Sequence, residues 1–172
     1  SMLVELKVSH FAIIDNIHIH FKEGLNVLSG ETGSGKSVLL KSLALLMGGK
    51  ASPDIIRTGH SQAIVEGRFD LSDRKDIEKL LESMGIELED KSLIVRRLIS
   101  AEDKSKIYLN GSLSTLNALR DIVAPLIEVT GHHSPLIEMT GQHENRHLLS
   151  KSYHLDLVDQ YTGAIQKRSD YH

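Results

Sequence analysis

Eight consecutive residues, Gly30-Glu31-Thr32-Gly33-Ser34-Gly35-Lys36-Ser37, constrain this chain more than any other feature. They fit G-x-x-x-x-G-K-[ST] at every fixed position. A loop that passes from a strand into a helix and curls round a phosphate needs positive φ, which glycine adopts without steric cost. Successive backbone N–H groups, here those of Gly33, Ser34 and Gly35, then converge on the anion beside the helix N-terminus. Lys36 is placed to reach the β- and γ-phosphates, and the Ser37 hydroxyl to complete a Mg²⁺ shell. The reading needs a strand before the loop and a helix after it. Leu25–Ser29 has the pattern of a buried strand, and Val38–Met47 is apolar almost all round, as an enclosed helix is.

Composition narrows the class. The chain has 172 residues, 40% apolar and 25% charged, which suits one soluble globular domain. A net charge of −3 gives no bulk electrostatic case for nucleic acid or a membrane surface. Cysteine is absent, which excludes disulfides, thiol catalysis and cysteine-ligated zinc. No apolar run is long enough to span a bilayer, and no secretory signal is expected. Ser1 before Met2 reads as a tag remnant.

Around the loop, alternation predicts strands at Leu3–Ser9, Asn16–Phe21 and Ala63–Asp70, and strand composition predicts two more at Leu93–Ile99 and Lys106–Leu109. Gly48-Gly49 should stop the helix that follows the loop, and Asn110-Gly111 is a turn signal. A helix is expected over Ser72–Met84, ended by Gly85, and another over Ser114–Val123, stopped at Pro125. Leu126–Val129 and Leu136–Met139 are short strand candidates, and periodic Leu155, Val158 and Tyr161 predict a helix from about Leu148 onwards. Leu126-Ile-Glu-Val-Thr-Gly-His-His133 recurs as Leu136-Ile-Glu-Met-Thr-Gly-Gln-His143 with six of eight positions identical, a local duplication.

Two parts of a hydrolytic site are missing. No apolar strand ends in an acidic pair to hold Mg²⁺ and direct water, and Leu126-Ile127-Glu128 is the nearest approach. No Ser-Gly-Gly sequence is present either. His143-Glu-Asn-Arg-His147 matches the zinc-hydrolase pattern H-E-x-x-H, but Ser150 and Tyr153 stand where an extended motif has Gly and His. No Glu follows Glu144 to serve as a later ligand, so a zinc hydrolase stands as a minor alternative, and His132 and His133 read better as loop residues than as ligands. Another P-loop ATPase or a small kinase remains an alternative, although neither an acceptor pocket nor an arginine-rich lid is visible. A binding module without turnover is a third.

The ordered set of motifs adds what spacing alone does not. Phe11-Ala-Ile-Ile-Asp15, the block Gly24–Ser37, Gly48-Gly49-Lys50-Ala51, Val65-Glu-Gly-Arg-Phe69, Val95-Arg-Arg97, Tyr108-Leu-Asn-Gly111 and Thr140-Gly-Gln-His-Glu144 occur in this order. Together they resemble the N-terminal head segment of the RecN family of bacterial DNA-repair ATPases, which belong with the SMC-like ATPases. The resemblance implies an α/β P-loop NTPase fold, an ABC/SMC-type head lobe with mixed and antiparallel sheet. It implies ATP and Mg²⁺ as cofactors, with Gln142 as the Q-loop residue that joins Ser37 at the metal and positions water. It implies residues 2–149 as half a head and residues 150–172 as the start of a coiled-coil arm. Partners would be the C-terminal half of the same head, a second head across a dimer, and DNA, in the cytoplasm and without a membrane. Lys50 and Lys106 depart from the arginines usual in the family, and Arg57 reads as nucleotide- or DNA-facing or as a solvated surface residue.

Overall fold

A computed structural model describes residues 2–21, 32–102 and 104–130. Among them, six strands form one sheet: β1 (Met2–Ser9), β2 (Asn16–His20), β3 (Gln62–Asp70), β4 (Ser92–Ser100), β5 (Lys106–Leu109) and β6 (Ser112–Ser114). The order is β2-β1-β3-β4-β5-β6, and every described pairing is antiparallel. The expected strand Leu25–Ser29 lies outside the described residues.

Alternation along the strands sorts the two faces. Ile17 and Ile19 on β2, Ala63, Val65 and Phe69 on β3, and Leu93, Val95 and Ile99 on β4 are all buried. In β1 strict alternation cannot bury Leu3, Leu6 and Val8 together, because Leu3 and Leu6 are three apart. A register shift between Leu3 and Glu5 takes up the extra residue and keeps all three inward. The opposite face is polar. There Glu5 bonds His18 across to β2 and accepts from Arg68 Nε on β3 at 3.1 Å.

Helix α1 (Thr32–Leu46) packs on β3 and β4 from the buried side. Val38, Leu39, Leu40, Leu43, Leu45 and Leu46 are all buried, as an apolar circumference requires. Gly67 on β3 leaves the space that Leu46 fills, since a Cβ there would stand 2.8 Å from Leu46 Cδ1. Helix α2 (Lys75–Ser83) is shorter than its expected span and buries Leu81. Asn110 and Gly111 make the turn from β5 into β6, a strand that the sequence pattern did not reveal. Asn110 also accepts from the Ile94 amide at 2.6 Å and donates to Glu87 O at 2.8 Å, pinning the turn to neighbouring backbone.

Two expectations fail at the end of the described chain. The helix does not stop at Pro125, and Leu126–Val129 is not a strand. Instead α3 (Leu116–Ala118), a π-helical turn (Leu119–Val123) and α4 (Ala124–Thr130) run on without a break. The Thr115 hydroxyl caps the start, accepting from Ala118 N at 3.2 Å. Proline inside a helix lacks an N–H and crowds the carbonyl four residues back. The π turn bonds i to i−5, as in Ala124 N–H to Leu119 O, and so accommodates the ring. Leu119, Ile122, Val123, Leu126 and Ile127 are buried in the same core as α1, and that burial outweighs the local stop signal.

Arg97 fastens α1 to the sheet. It points inward from β4, is 4% exposed, and is the one charged side chain buried among the described residues. Its Nη1 donates to Leu45 O at 2.7 Å and to Gly49 O at 2.6 Å, at the C-terminal end of α1. Burial, with Arg120 adding repulsion, lowers its pKa to about 10, so it remains a cation at neutral pH. Replacing Arg97 by Met keeps the bulk and removes both donors, and chemical denaturation should show a loss of about 2 kcal/mol. Glu5 yields a second expectation. Burial raises its carboxyl pKa, but bonds to His18 and Arg68 outweigh this and hold it below the ordinary 4.5. Glu5→Gln should therefore destabilise at neutral pH, with the difference from wild type vanishing as pH falls below that value.

Candidate functional site

Helix α1 begins at Thr32, inside the glycine-rich motif, so residues 32–37 of that motif form its first turns. Gly30 and Glu31 lie outside the described residues, as do Gln142, His132, His133, the His143–His147 segment, Leu136–Met139 and the whole of 150–172. Thr32, Gly33, Ser34, Gly35 and Lys36 are described as helical backbone. Ser37 is described with its side chain, which is exposed.

The backbone at this end of α1 suits an anion. The first N–H groups of any helix have no acceptor within it, and the aligned peptide dipoles place partial positive charge there. An acidic side chain in the first turn would occupy that field, and α1 has none. A phosphate group therefore fits, with the Ser37 hydroxyl within the second turn available to a hard cation.

The other end of the helix determines how firmly this N-terminus is held. Gly48, with φ 96°, sends its N–H to Leu45 O at 3.1 Å, and Gly49 sends its own back to Ala44 O at 2.9 Å. These are the two bonds of a Schellman stop. Each glycine has a further reason. A Cβ at Gly48 would meet Arg120 Cγ at 2.6 Å, and one at Gly49 would meet Ala44 O at 2.7 Å. Arg97 then closes the end with a cation, in a helix whose last turn carries no basic residue of its own.

Arg57 is neither wholly solvated nor free to face a ligand. Its N–H bonds His10 O at 2.8 Å, and its Nη1 donates to Phe11 O at 3.2 Å and Ala12 O at 3.4 Å. It ties the loop 10–15, which joins β1 to β2, to the segment after α1. Lys50 and Lys106 are exposed. Sequence reasoning passed over what Arg97 does because an Arg-Arg pair on an alternating strand has one member outward and one inward. Alternation alone could have identified the inward one.

An antiparallel sheet covered on one face by a helix that opens within a glycine-rich segment is a fold found in SMC-type head domains. Solved structures share this fold. One, from work on ATP-driven dimerization and DNA-stimulated activation of SMC ATPases, aligns with a TM-score of 0.57 at 19% identity, covering 94% of this chain and 99% of the other. A Pyrococcus furiosus Smc head domain with an extended coiled coil, bound to the C-terminal domain of ScpA, aligns at 0.54 and 17% identity, covering 73% and 33%. The chain belongs to the AAA domain family, whose profile matches residues 5–171. Within it, the chain is similar to the DNA repair protein RecN of Halalkalibacterium halodurans, at 38% identity over 94% of this chain and 27% of that protein. RecN of Bacillus subtilis matches at 37% identity over 95% and 27%, and RecN of a Synechocystis strain at 39% over 97% and 28%. The kinship expected from the motifs holds, and the chain spans about a quarter of the length of these relatives.

Arg57→Ala removes the bonds that hold the loop 10–15. Amide exchange at Phe11–Asp15 should quicken, while global stability falls by no more than about 1 kcal/mol. Unchanged exchange in that loop would show that Arg57 does not restrain it.

Proposed function

We propose that this chain is the ATP-binding N-terminal half of a RecN-like ATPase head that works in DNA double-strand-break repair and recombination. The observation that carries the reading is the complete Gly30–Ser37 motif at the start of a helix anchored as α1 is, in a chain related to RecN along nearly all its length. Mg·ATP supplies the phosphoryl chemistry when bound. The backbone N–H groups of Gly33, Ser34 and Gly35 hold phosphate oxygens, with Gly30, Glu31 and Thr32 shaping the loop. Lys36 stabilises negative charge as it develops on the transferring group, and Ser37 and Gln142 provide oxygen ligands to the cation. Lys36 and Gln142 are the residues assigned to catalysis.

The acidic strand and the signature sequence that hydrolysis requires are not in these 172 residues. In the proposed arrangement the first comes from the C-terminal half of the same head and the second from a partner head. ATP then lies between two heads and joins them, and its hydrolysis lets them part. Residues 2–149 form the head half and 150–172 begin the arm that connects the halves. DNA is engaged by the full-length protein, in the cytoplasm on the nucleoid. Among the described residues no helix is long and apolar enough to cross a membrane.

The test is reconstitution. The chain alone should bind ATP weakly and turn over little, and adding the C-terminal half of the head in trans should restore ATPase activity. Lys36→Ala should abolish the restored activity. Robust turnover by the chain alone would contradict the division of the site between two segments.

A further inference from the structure

Where β1 leaves the sheet, three metal-ligating side chains meet outside the site described above. One ligand atom each from His10, Asp15 and His60 lies within 4.8 Å of the other two. His10 and Asp15 close the two ends of the β1–β2 connection, and His60 comes from the turn after Arg57. We propose that these three residues bind one divalent transition-metal ion of the zinc class.

Two observations independent of that proximity point to a ligand. The Nδ1 of His10 and the Oδ1 of Asp15 are buried and have no hydrogen-bond partner. Buried nitrogen and carboxylate lone pairs left unpaired destabilise the fold, and a shared cation would satisfy both. His10 also adopts φ 64°, a region that a residue with a Cβ seldom occupies. That conformation is held from both sides, by His10 N–H to Asp15 O at 2.5 Å and Arg57 N–H to His10 O at 2.8 Å. Strain of this kind persists where the surroundings over-determine it, as they do at ligand sites.

The donor set selects the ion. Two imidazoles and one carboxylate suit Zn²⁺, Co²⁺ or Ni²⁺ and leave a position for water, whereas Mg²⁺ prefers oxygen donors throughout. The His10 and His60 rings stack with centroids 3.8 Å apart and planes 16° from parallel. In-plane lone pairs of stacked rings run side by side, so binding one ion requires the exposed His60 ring to turn out of the stack. Arg57 does not oppose this, because its guanidinium is directed to the Phe11 and Ala12 carbonyls. A second trio, Glu5, His18 and His20, is less suited, since its carboxylate already bonds Arg68 and His18. Bound metal would rivet the turn at His60 to the loop 10–15, adding to what Arg57 does there.

Titration of the EDTA-treated, nucleotide-free chain with Co²⁺ tests this, read by its visible d–d bands and by equilibrium dialysis. One equivalent should bind with the band intensity of a four-coordinate site. His60→Ala, Asp15→Asn and His10→Asn should each weaken binding by at least about tenfold. Asparagine tolerates positive φ, so the last keeps the backbone, and circular dichroism checks that each variant is folded. His18→Ala with His20→Ala, and His143→Ala with His147→Ala, should bind as wild type does. Absence of binding, or its loss in either of those double variants and not in the first three, would overturn the proposal.

Discussion

The structure depends on one buried cation. Arg97 sits inside an apolar core where an isolated charge would be costly, and it is sustained there by the Leu45 and Gly49 carbonyls. A helix C-terminus is the natural partner for such a charge, because its carbonyls are unsatisfied and its dipole is negative there. The bond links the middle of the sheet to the far end of α1. Sheet, helix and the segment after it are thereby set in one frame, with the N-terminal end of α1 at its other extremity.

That frame explains the motif pattern physically. Gly48 and Gly49 are needed for a positive φ and for close approach to Arg120 and the Ala44 carbonyl, so they belong to the anchor and not to a ligand. Val95 and Arg97 share the inward face of β4, while Arg96 points outward, its Nε 3.9 Å from Glu66 on the polar side. Asn110 holds its turn through three backbone bonds, to Ile94, Glu87 and Ser92. Several residues that make the family recognisable therefore act by holding α1 and the sheet together, and the proposed phosphate chemistry is concentrated in Gly30–Ser37.

Much of this was legible in the sequence where a local rule acts alone. Alternation placed β1 to β3, strand composition placed β4 and β5, and Gly48-Gly49 and Asn110-Gly111 marked a helix end and a turn. It was not legible where burial competes with a local signal. Pro125 reads as a stop, yet Leu119, Ile122, Leu126 and Ile127 bury enough apolar surface to carry the helix through on a π turn. Leu126–Val129 reads as a strand because its three apolar residues and Glu128 are too few to show a decisive period. The three-residue β6 was too short for any pattern. For the site, the motif named its residues directly, but the meeting of His10, Asp15 and His60 depends on tertiary contact between segments 45 or more residues apart and left no trace in spacing.

The central claim is that the N-terminal end of α1 receives the phosphates of ATP. Hydrogen–deuterium exchange of this chain with and without Mg·ATP, at nucleotide levels high enough to fill a weak site, tests it most directly. The account predicts slowed exchange at the amides of residues 33–37, with the anchored C-terminal end of α1 unchanged. Unaltered exchange at 33–37, or protection found only elsewhere, would contradict it.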